Sequence, residues 1–310
     1  MVDRAERGRA AQDLAEEFAA NGFVRIGRAL PSTLCEEVSA RAFERLELPD
    51  VPCGEWPERT VHLPVVRNWD LREVSPVAWA AAVSLIGDEH LIEFAGVQDN
   101  LIVNFPSPTR QWWPAHEWSS DGAGWHKDGD WFRHFLDSPE QALLVIVFWG
   151  DVEPRQGPTY VAVDSIAGVA RLLADHPEGL DPTQVIDAVP SILSGCDDFR
   201  ELTGSQGDIV LAHPYLLHTA SVNSTDRPRL ISNSSVMLRS PIDLSAPARA
   251  AAPVARSIIT ALGVDQIDFE ATGPRGRVIS DRERRWAAER NDTRIAPEPA
   301  GRRPSAQEPA

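Results

Sequence analysis

The feature that most constrains this chain is Leu143-Leu144-Val145-Ile146-Val147-Phe148-Trp149, an unbroken apolar run closed by Gly150-Asp151. A short run of this kind, rich in β-branched residues and bounded by a turn signal, suits a strand buried in the middle of a sheet. Further strand patterns lie on both sides of it: Phe23 to Ile26, Leu91 to Phe94, Asn100 to Phe105, Gly157 to Val163, Gly207 to His213 and Arg229 to Leu238. Helical spacing appears between them. It covers residues 8–20, ended by Asn21-Gly22, and a segment opened by Pro31-Ser32-Thr33 with Leu34, Val38, Ala42 and Leu46 on one face. It returns from Ser75-Pro76 to Ile86, from Val169 to Ala174, and around Val254 to Leu262. Residues 47–75, and the stretch from 175 to 203 with Pro177, Pro182 and Pro190, read as irregular. A strand-rich order with helices outside it predicts a mainly β fold with flanking helices, a double-stranded β-helix (jelly roll) of cupin type.

The length of 310 residues and 43% hydrophobic content suit one large domain. We expect it to span residues 1–290, with a core of about 20–240 and a helical extension over 241–290. Residues 291–310 are rich in Pro, Glu and Arg and are expected to be a disordered tail. The formal net charge of −16 argues against nucleic acid or an anionic membrane surface as a partner. No stretch approaches the ~20 apolar residues of a membrane span, and the N-terminus lacks the apolar core of a signal peptide. Cys35, Cys53 and Cys196 are odd in number and widely spaced, as expected of free thiols in a reducing cytoplasm. Lys127 is the single lysine against 29 arginines, a bias expected of a GC-rich bacterial genome. The oligomeric state is not legible at this level.

The chemistry gathers in two stretches. In Gly124-Trp125-His126-Lys127-Asp128-Gly129-Asp130-Trp131, His126 and Asp128 stand two apart. In extended backbone, such residues point to one face and can aim an imidazole and a carboxylate at one point. With one more imidazole they would complete the 2-His-1-carboxylate set that suits non-haem Fe(II) oxygenases. The second stretch runs from Gly207-Asp208, through an apolar strand, to His213-Pro214-Tyr215-Leu216-Leu217-His218, then Asn223 and Arg227-Pro228-Arg229. Either His213 or His218 has the chemistry to complete the set.

A His-x-Asp, a Gly-Asp-apolar strand, a His-Pro-x-x-x-His, an Asn and an Arg occur here in an order that resembles the phytanoyl-CoA dioxygenase-like family of Fe(II)/2-oxoglutarate oxygenases. The resemblance covers about residues 20–240. It implies Fe(II), 2-oxoglutarate and O2 as reactants, and His126, Asp128 and His218 as metal ligands. His213 is then a packed residue behind them. Arg229 matches the arginine that pairs with the far carboxylate of 2-oxoglutarate, a task suited to a planar fork of donors. Arg227 is the runner-up, and Thr159 or Ser221 would supply an assisting hydroxyl. Two departures stand out. Phe105 follows Asn104 where many relatives have Lys, and Val163-Asp164-Ser165-Ile166 replaces the family's usual turn. Asp128 is retained, which disfavours a halogenase, because halide needs that ligand position.

Residues 106–123 form a loop with Trp112, Trp113, His116 and Trp118, either a lid over the site or ordinary aromatic packing. Trp112, Trp113 and Trp131, with His134, are the candidate substrate contacts. They suggest an apolar or aromatic small molecule and a hydroxylase in bacterial secondary metabolism. The competing expectation is a non-catalytic jelly-roll protein that binds or senses a metal or ligand.

Overall fold

The computed structural model describes residues 4–46, 60–107, 110–118, 124–280, 283–285 and 287. The chain opens with α1 (Arg4–Asn21), β1 (Phe23–Ile26) and α2 (Ser32–Leu46). Then come β2 (Thr60–His62), β3 (Asn68–Asp70), α3 (Leu71–Val74), α4 (Pro76–Ile86), β4 (Ile92–Gln98), β5 (Leu101–Asn104) and the single turn α5 (Ala115–Trp118). The second half holds β6 (Leu143–Phe148), β7 (Thr159–Ala162), α6 (Ser165–Ala174), α7 (Pro182–Leu193), β8 (Phe199–Leu202), β9 (Ile209–Ala212), β10 (Leu217–Ala220), β11 (Arg229–Leu238) and α8 (Pro253–Ala261).

These strands form the antiparallel jelly roll expected. The large sheet runs β1-β9-β6-β11-β4-β3, with β5 bonded to β11 and β2 on β5. The small sheet runs β10-β7-β8. The apolar run is β6, bonded between β9 and β11 with all six residues buried. Every strand pairing is antiparallel. The helices cover the outside, and α8 packs on α1, α4 and α6. The extension after residue 240 is therefore built onto the core.

The two stretches read as irregular are partly ordered. Residues 60–75 supply β2, β3 and α3, three elements too short to show periodicity. In the second stretch, α7 tolerates both prolines. Pro182 sits in its first turn, where a missing N–H costs nothing, and the Asp181 N–H donates to Gln184 Oε1 at 2.9 Å. Pro190 lies inside the helix, yet Val185, Val189 and Leu193 bury one face at helical spacing. That burial outweighs the lost hydrogen bond. The tail over 291–310, Cys53, and residues 108–109 and 119–123 of the Trp-rich loop lie outside the described residues. Among the described residues, no helix is long and apolar enough to cross a membrane. Cys35 and Cys196 are free thiols.

Asp208 shows how part of the second motif serves the fold. Its buried carboxylate takes Arg25 Nη1 at 2.7 Å, the Arg28 N–H at 2.8 Å and the Ser205 N–H at 3.0 Å. It locks the start of β9 to the end of β1.

Candidate metal and cosubstrate site

β10 is an edge strand of the small sheet. Its open edge meets the segment that carries His126. The two residues exchange backbone hydrogen bonds, His126 N–H to His218 O and His218 N–H to His126 O, both at 3.0 Å. They are a hydrogen-bonded antiparallel pair, so their side chains share a face. The ring centroids lie 4.4 Å apart. The segment around His126 is irregular apart from this bridge, and not the regular strand that the spacing suggested.

Each imidazole is oriented by its own chain. His126 Nδ1 bonds Gly124 O at 2.8 Å and His218 Nδ1 bonds Leu216 O at 3.0 Å. A carbonyl can only accept, so each Nδ1 carries a proton, which leaves each Nε2 as the ring atom that can ligate a metal. The two Nε2 atoms converge on Asp128. His126 Nε2 is 3.3 Å from Asp128 Oδ1, and His218 Nε2 is 3.6 Å from Asp128 Oδ2. Ligand atoms of the three residues lie within 4.8 Å of one another, and they are the group among the described residues that could hold a metal ion. His218 Nε2 is buried with no hydrogen-bond partner. Burial opposes ionisation of Asp128, but the charge of His218 and hydrogen bonding from the His126 ring overcome it and hold the carboxyl well below the usual range. Two imidazole Nε2 atoms and an ionised carboxylate on one side of a cavity are a ligand set that fits a divalent iron with open positions.

Sequence reading did not single out Asn233, which also touches this group. Its Nδ2 donates to Asp128 Oδ2 at 3.1 Å. The signal for it was the alternation along β11: Arg229, Ile231, Asn233, Ser235 and Met237 all line the cavity, at period 2. Lys127, between the two ligands, points the other way. It is buried, its Nζ donates to Asp128 O at 3.0 Å, and it lies 3.1 Å from His134 Nδ1. Burial pushes its pKa down to about 7.

Gly129 ends the ligand segment with φ of +119°, where side chains are strained, and a Cβ there would sit 2.6 Å from Phe132 Cε1 and 2.7 Å from His134 Cε1. Gly129→Ala is therefore expected to destabilise the fold by at least ~1–3 kcal/mol through backbone strain alone. It should also weaken Fe(II) binding by displacing Asp128. Chemical denaturation and an iron titration of the purified variant measure the two effects. A wild-type stability would remove the turn from this account.

The part of the cavity where the resemblance puts the cosubstrate is built by β11, β7 and two asparagines. Arg229, the first residue of β11, is 1% exposed. Its Nη1 donates to Thr159 Oγ1 at 3.2 Å, while Nε and Nη2 are buried without partners. Burial pushes its pKa down to about 10, so it remains a cation at neutral pH. A buried cation facing no carboxylate is a site that lacks an anion. Arg227 differs: it is exposed and pairs with Glu153 Oε2 at 2.8 Å. Asn223 Nδ2 donates to Asn104 O and to Arg227 O, and Asn104 Nδ2 donates to Ser221 O. These bonds tie the entry to β11 to β5 and to the segment after β10, so the motif's Asn positions the arginine.

The other predicted residues divide. Thr159, Trp113 and Trp131 line a cavity of about 1520 Å³, together with the His-Asp-His group and Arg229. Ser221 does not line it, and its hydroxyl donates to Pro158 O at 2.7 Å. Trp112 lies outside it, under the Arg155 guanidinium at 4.7 Å. His134 is buried against Phe132 and Lys127 and lies outside it too. His213 packs on Phe18 and Tyr215, its Nδ1 accepts the Tyr215 N–H at 3.1 Å, and burial pushes its pKa down to about 3. Ser165, in the departing turn, donates to Ala162 O and accepts the Leu217 N–H at 2.9 Å, which ties α6 to the strand of His218. Phe105 is buried.

A jelly roll with a 2-His-1-carboxylate group and a buried, unpaired arginine in one cavity defines the class of iron and 2-oxoglutarate oxygenases. The model of the phytanoyl-CoA dioxygenase (PhyH) family matches residues 18–231, and the chain belongs to that family. It is a dioxygenase-type oxidoreductase that uses iron and 2-oxoglutarate. No protein of curated function matches it. Among solved structures, it is similar to the epimerase SnoN in complex with Fe3+, alpha ketoglutarate and nogalamycin RO. Identity is 17%, with 76% of this chain and 86% of that chain covered at a TM-score of 0.44. It is also similar to EctD from S. alaskensis with 2-oxoglutarate and 5-hydroxyectoine, at 15% identity, 71% and 73% coverage and a TM-score of 0.40. A Pseudomonas putida prolyl-4-hydroxylase matches at 12% identity, 74% and 100% coverage and a TM-score of 0.37.

Proposed function

We propose that the protein hydroxylates an unactivated C–H bond of a small organic molecule in bacterial secondary metabolism. His126, Asp128 and His218 hold Fe(II), and Arg229 with Thr159 anchors the far carboxylate of 2-oxoglutarate. The observation that carries this reading is the pairing, in one cavity, of two Nε2 atoms converging on Asp128 with a buried arginine that has two nitrogens without partners. Bound iron and 2-oxoglutarate supply the oxidising power, since O2 delivers one oxygen to the C–H bond and one to the succinate that forms as CO2 leaves. The chain's own residues orient and shield. The Gly124 and Leu216 carbonyls hold the imidazoles, Asn233 holds Asp128, and Thr159 steers Arg229. A cavity far larger than 2-oxoglutarate needs supports a sizeable substrate, the arginine bias supports a bacterial source, and the widely spaced cysteines support a cytoplasmic setting. The packing of α8 on α1, α4 and α6 supports one working unit over residues 1–290.

The test starts without a substrate. Fe(II) and 2-oxoglutarate are added anaerobically, and the metal-to-ligand charge-transfer band is followed. Admitting O2 should then yield succinate slowly, and a substrate should speed it and gain one oxygen atom from 18O2. A band without succinate under any condition would instead make the protein a ligand sensor. A product lacking the label would replace hydroxylation with desaturation, cyclisation or epimerisation.

A further inference from the structure

The cavity extends well past the cosubstrate end. Ligand sites usually occupy about 300–1,000 Å³, and this one has about 1520 Å³. Its β11 wall has an order: Arg229 at one end, Asn233 beside Asp128, then Ser235 and Met237. The five residues from Asn233 to Met237 span ~13 Å of strand, room for more than one ring beyond the metal group.

Of the five primary amides that line the cavity, Asn100, Gln141 and Asn233 are hydrogen-bonded along this outer part. Each has committed its NH2 group to the protein. Asn100 Nδ2 donates to Asn233 O at 2.7 Å, Asn233 Nδ2 to Asp128 Oδ2 at 3.1 Å, and Gln141 Nε2 to Ser235 Oγ at 3.2 Å. The first two acceptors are a carbonyl and a carboxylate, which cannot donate, so those amides cannot be flipped. That leaves Asn100 Oδ1, Gln141 Oε1 and Asn233 Oδ1 buried without partners. They share this condition with His218 Nε2 and Arg229 Nη2, the atoms assigned to metal and 2-oxoglutarate. A buried acceptor left unpaired costs about 1–3 kcal/mol. Three in one cavity wall call for a ligand rich in O–H or N–H donors.

Charge and apolar surface narrow the class. With Arg229 assigned to 2-oxoglutarate, Arg110 is the remaining arginine among the lining residues, and no lysine lines the cavity. That is a poor match to a ligand with several phosphates. Trp113 and Trp131 offer flat faces, and Phe94 and Met237 offer apolar surface. We infer that the substrate is a neutral glycoside, its hydroxyls donating to the amide oxygens of Asn100, Gln141 and Asn233 and its apolar portion lying on the Trp and Phe94/Met237 surface. This rests on the oxygenase reading of the same site and refines it: the aromatic lining serves one part of a mixed ligand.

The experiment uses the full chain loaded anaerobically with Fe(II) and 2-oxoglutarate. The probes are a panel of neutral phenyl glycosides (glucoside, galactoside, xyloside and rhamnoside), phenol, and phenyl phosphate, titrated by calorimetry and by their effect on the charge-transfer band. At least one glycoside should bind saturably and at least about tenfold more tightly than phenol or phenyl phosphate. Gln141→Met should weaken that glycoside about three- to tenfold, the worth of one hydrogen bond, and leave phenol binding as it was. Asn100→Leu makes the same comparison if Gln141→Met does not fold. Phenol binding as tightly as every glycoside, phenyl phosphate binding most tightly, or no glycoside binding at all while the band forms overturns this inference alone. Failure of the band itself overturns the oxygenase reading beneath it.

Discussion

Replacing Arg229 with Met is expected to raise the dissociation constant for 2-oxoglutarate roughly thirty-fold or more. The far carboxylate would enter a dry pocket with no cation, and breaking such a buried pair costs ~2–5 kcal/mol, at ~1.4 kcal/mol per tenfold. Fe(II) affinity should hold, because His126, Asp128 and His218 remain. The same change should not destabilise the ligand-free protein and is expected to stabilise it. There the guanidinium is 1% exposed with two nitrogens unpartnered, and apolar replacements of buried charges are often neutral or stabilising. Opposite signs on affinity and stability separate a ligand-binding arginine from a structural one. Arg227→Met should change 2-oxoglutarate binding by under ~1 kcal/mol, since Arg227 and Glu153 are each 54% exposed. Anaerobic titration of the charge-transfer band reads the affinities and thermal melting reads the stabilities. A large loss in Arg227→Met with normal binding in Arg229→Met would reverse the assignment.

His126→Ala or His218→Ala should each abolish measurable Fe(II) binding and turnover, because each removes one of three protein ligands. His213→Ala should leave iron in place and cost ~2–4 kcal/mol of stability. It opens a cavity between Phe18 and Tyr215 and strips the Tyr215 N–H of its acceptor. Metal content after dialysis, set beside denaturation curves, distinguishes the two classes of histidine. Loss of iron from His213→Ala with retention in His218→Ala would exchange their roles.

The two histidines show why a motif needs a fold to be read. His213 and His218 are five apart in one apolar stretch, and either has the chemistry of a ligand. What divides them is that β10 begins at Leu217 and pairs His218 with His126, while the His213 ring packs on Phe18 and Tyr215. The strand β10 was not legible, because four residues between Pro214 and Ser221 are too few for a period to show. The same limit hid β2, β3, α3 and β8. In α7 the opposite happened: two prolines spoke louder locally than the buried face of Val185, Val189 and Leu193.

Some properties need only the order of residues. The apolar run of β6, the alternation in β11 and the His-x-Asp with its distant His-Asn-Arg are local patterns, and they carry the jelly roll, the candidate metal ligands and the candidate cosubstrate arginine. Local patterns say what a residue can do. They do not say which of several capable residues faces the cavity, because that depends on chain segments far apart in sequence. Arg227 and Arg229 share a side of an ideal strand, yet one pairs with Glu153 in solvent while the other starts β11 and is buried beside Thr159. Ser221 and Thr159 both offer a hydroxyl, but Ser221 spends its own on Pro158. Trp112 turns to Arg155 while Trp113 faces the cavity. The amide wall of Asn100, Gln141 and Asn233 joins a turn, the approach to β6 and the middle of β11, and only the pairing of those strands brings its three unpartnered oxygens to one side of the metal group.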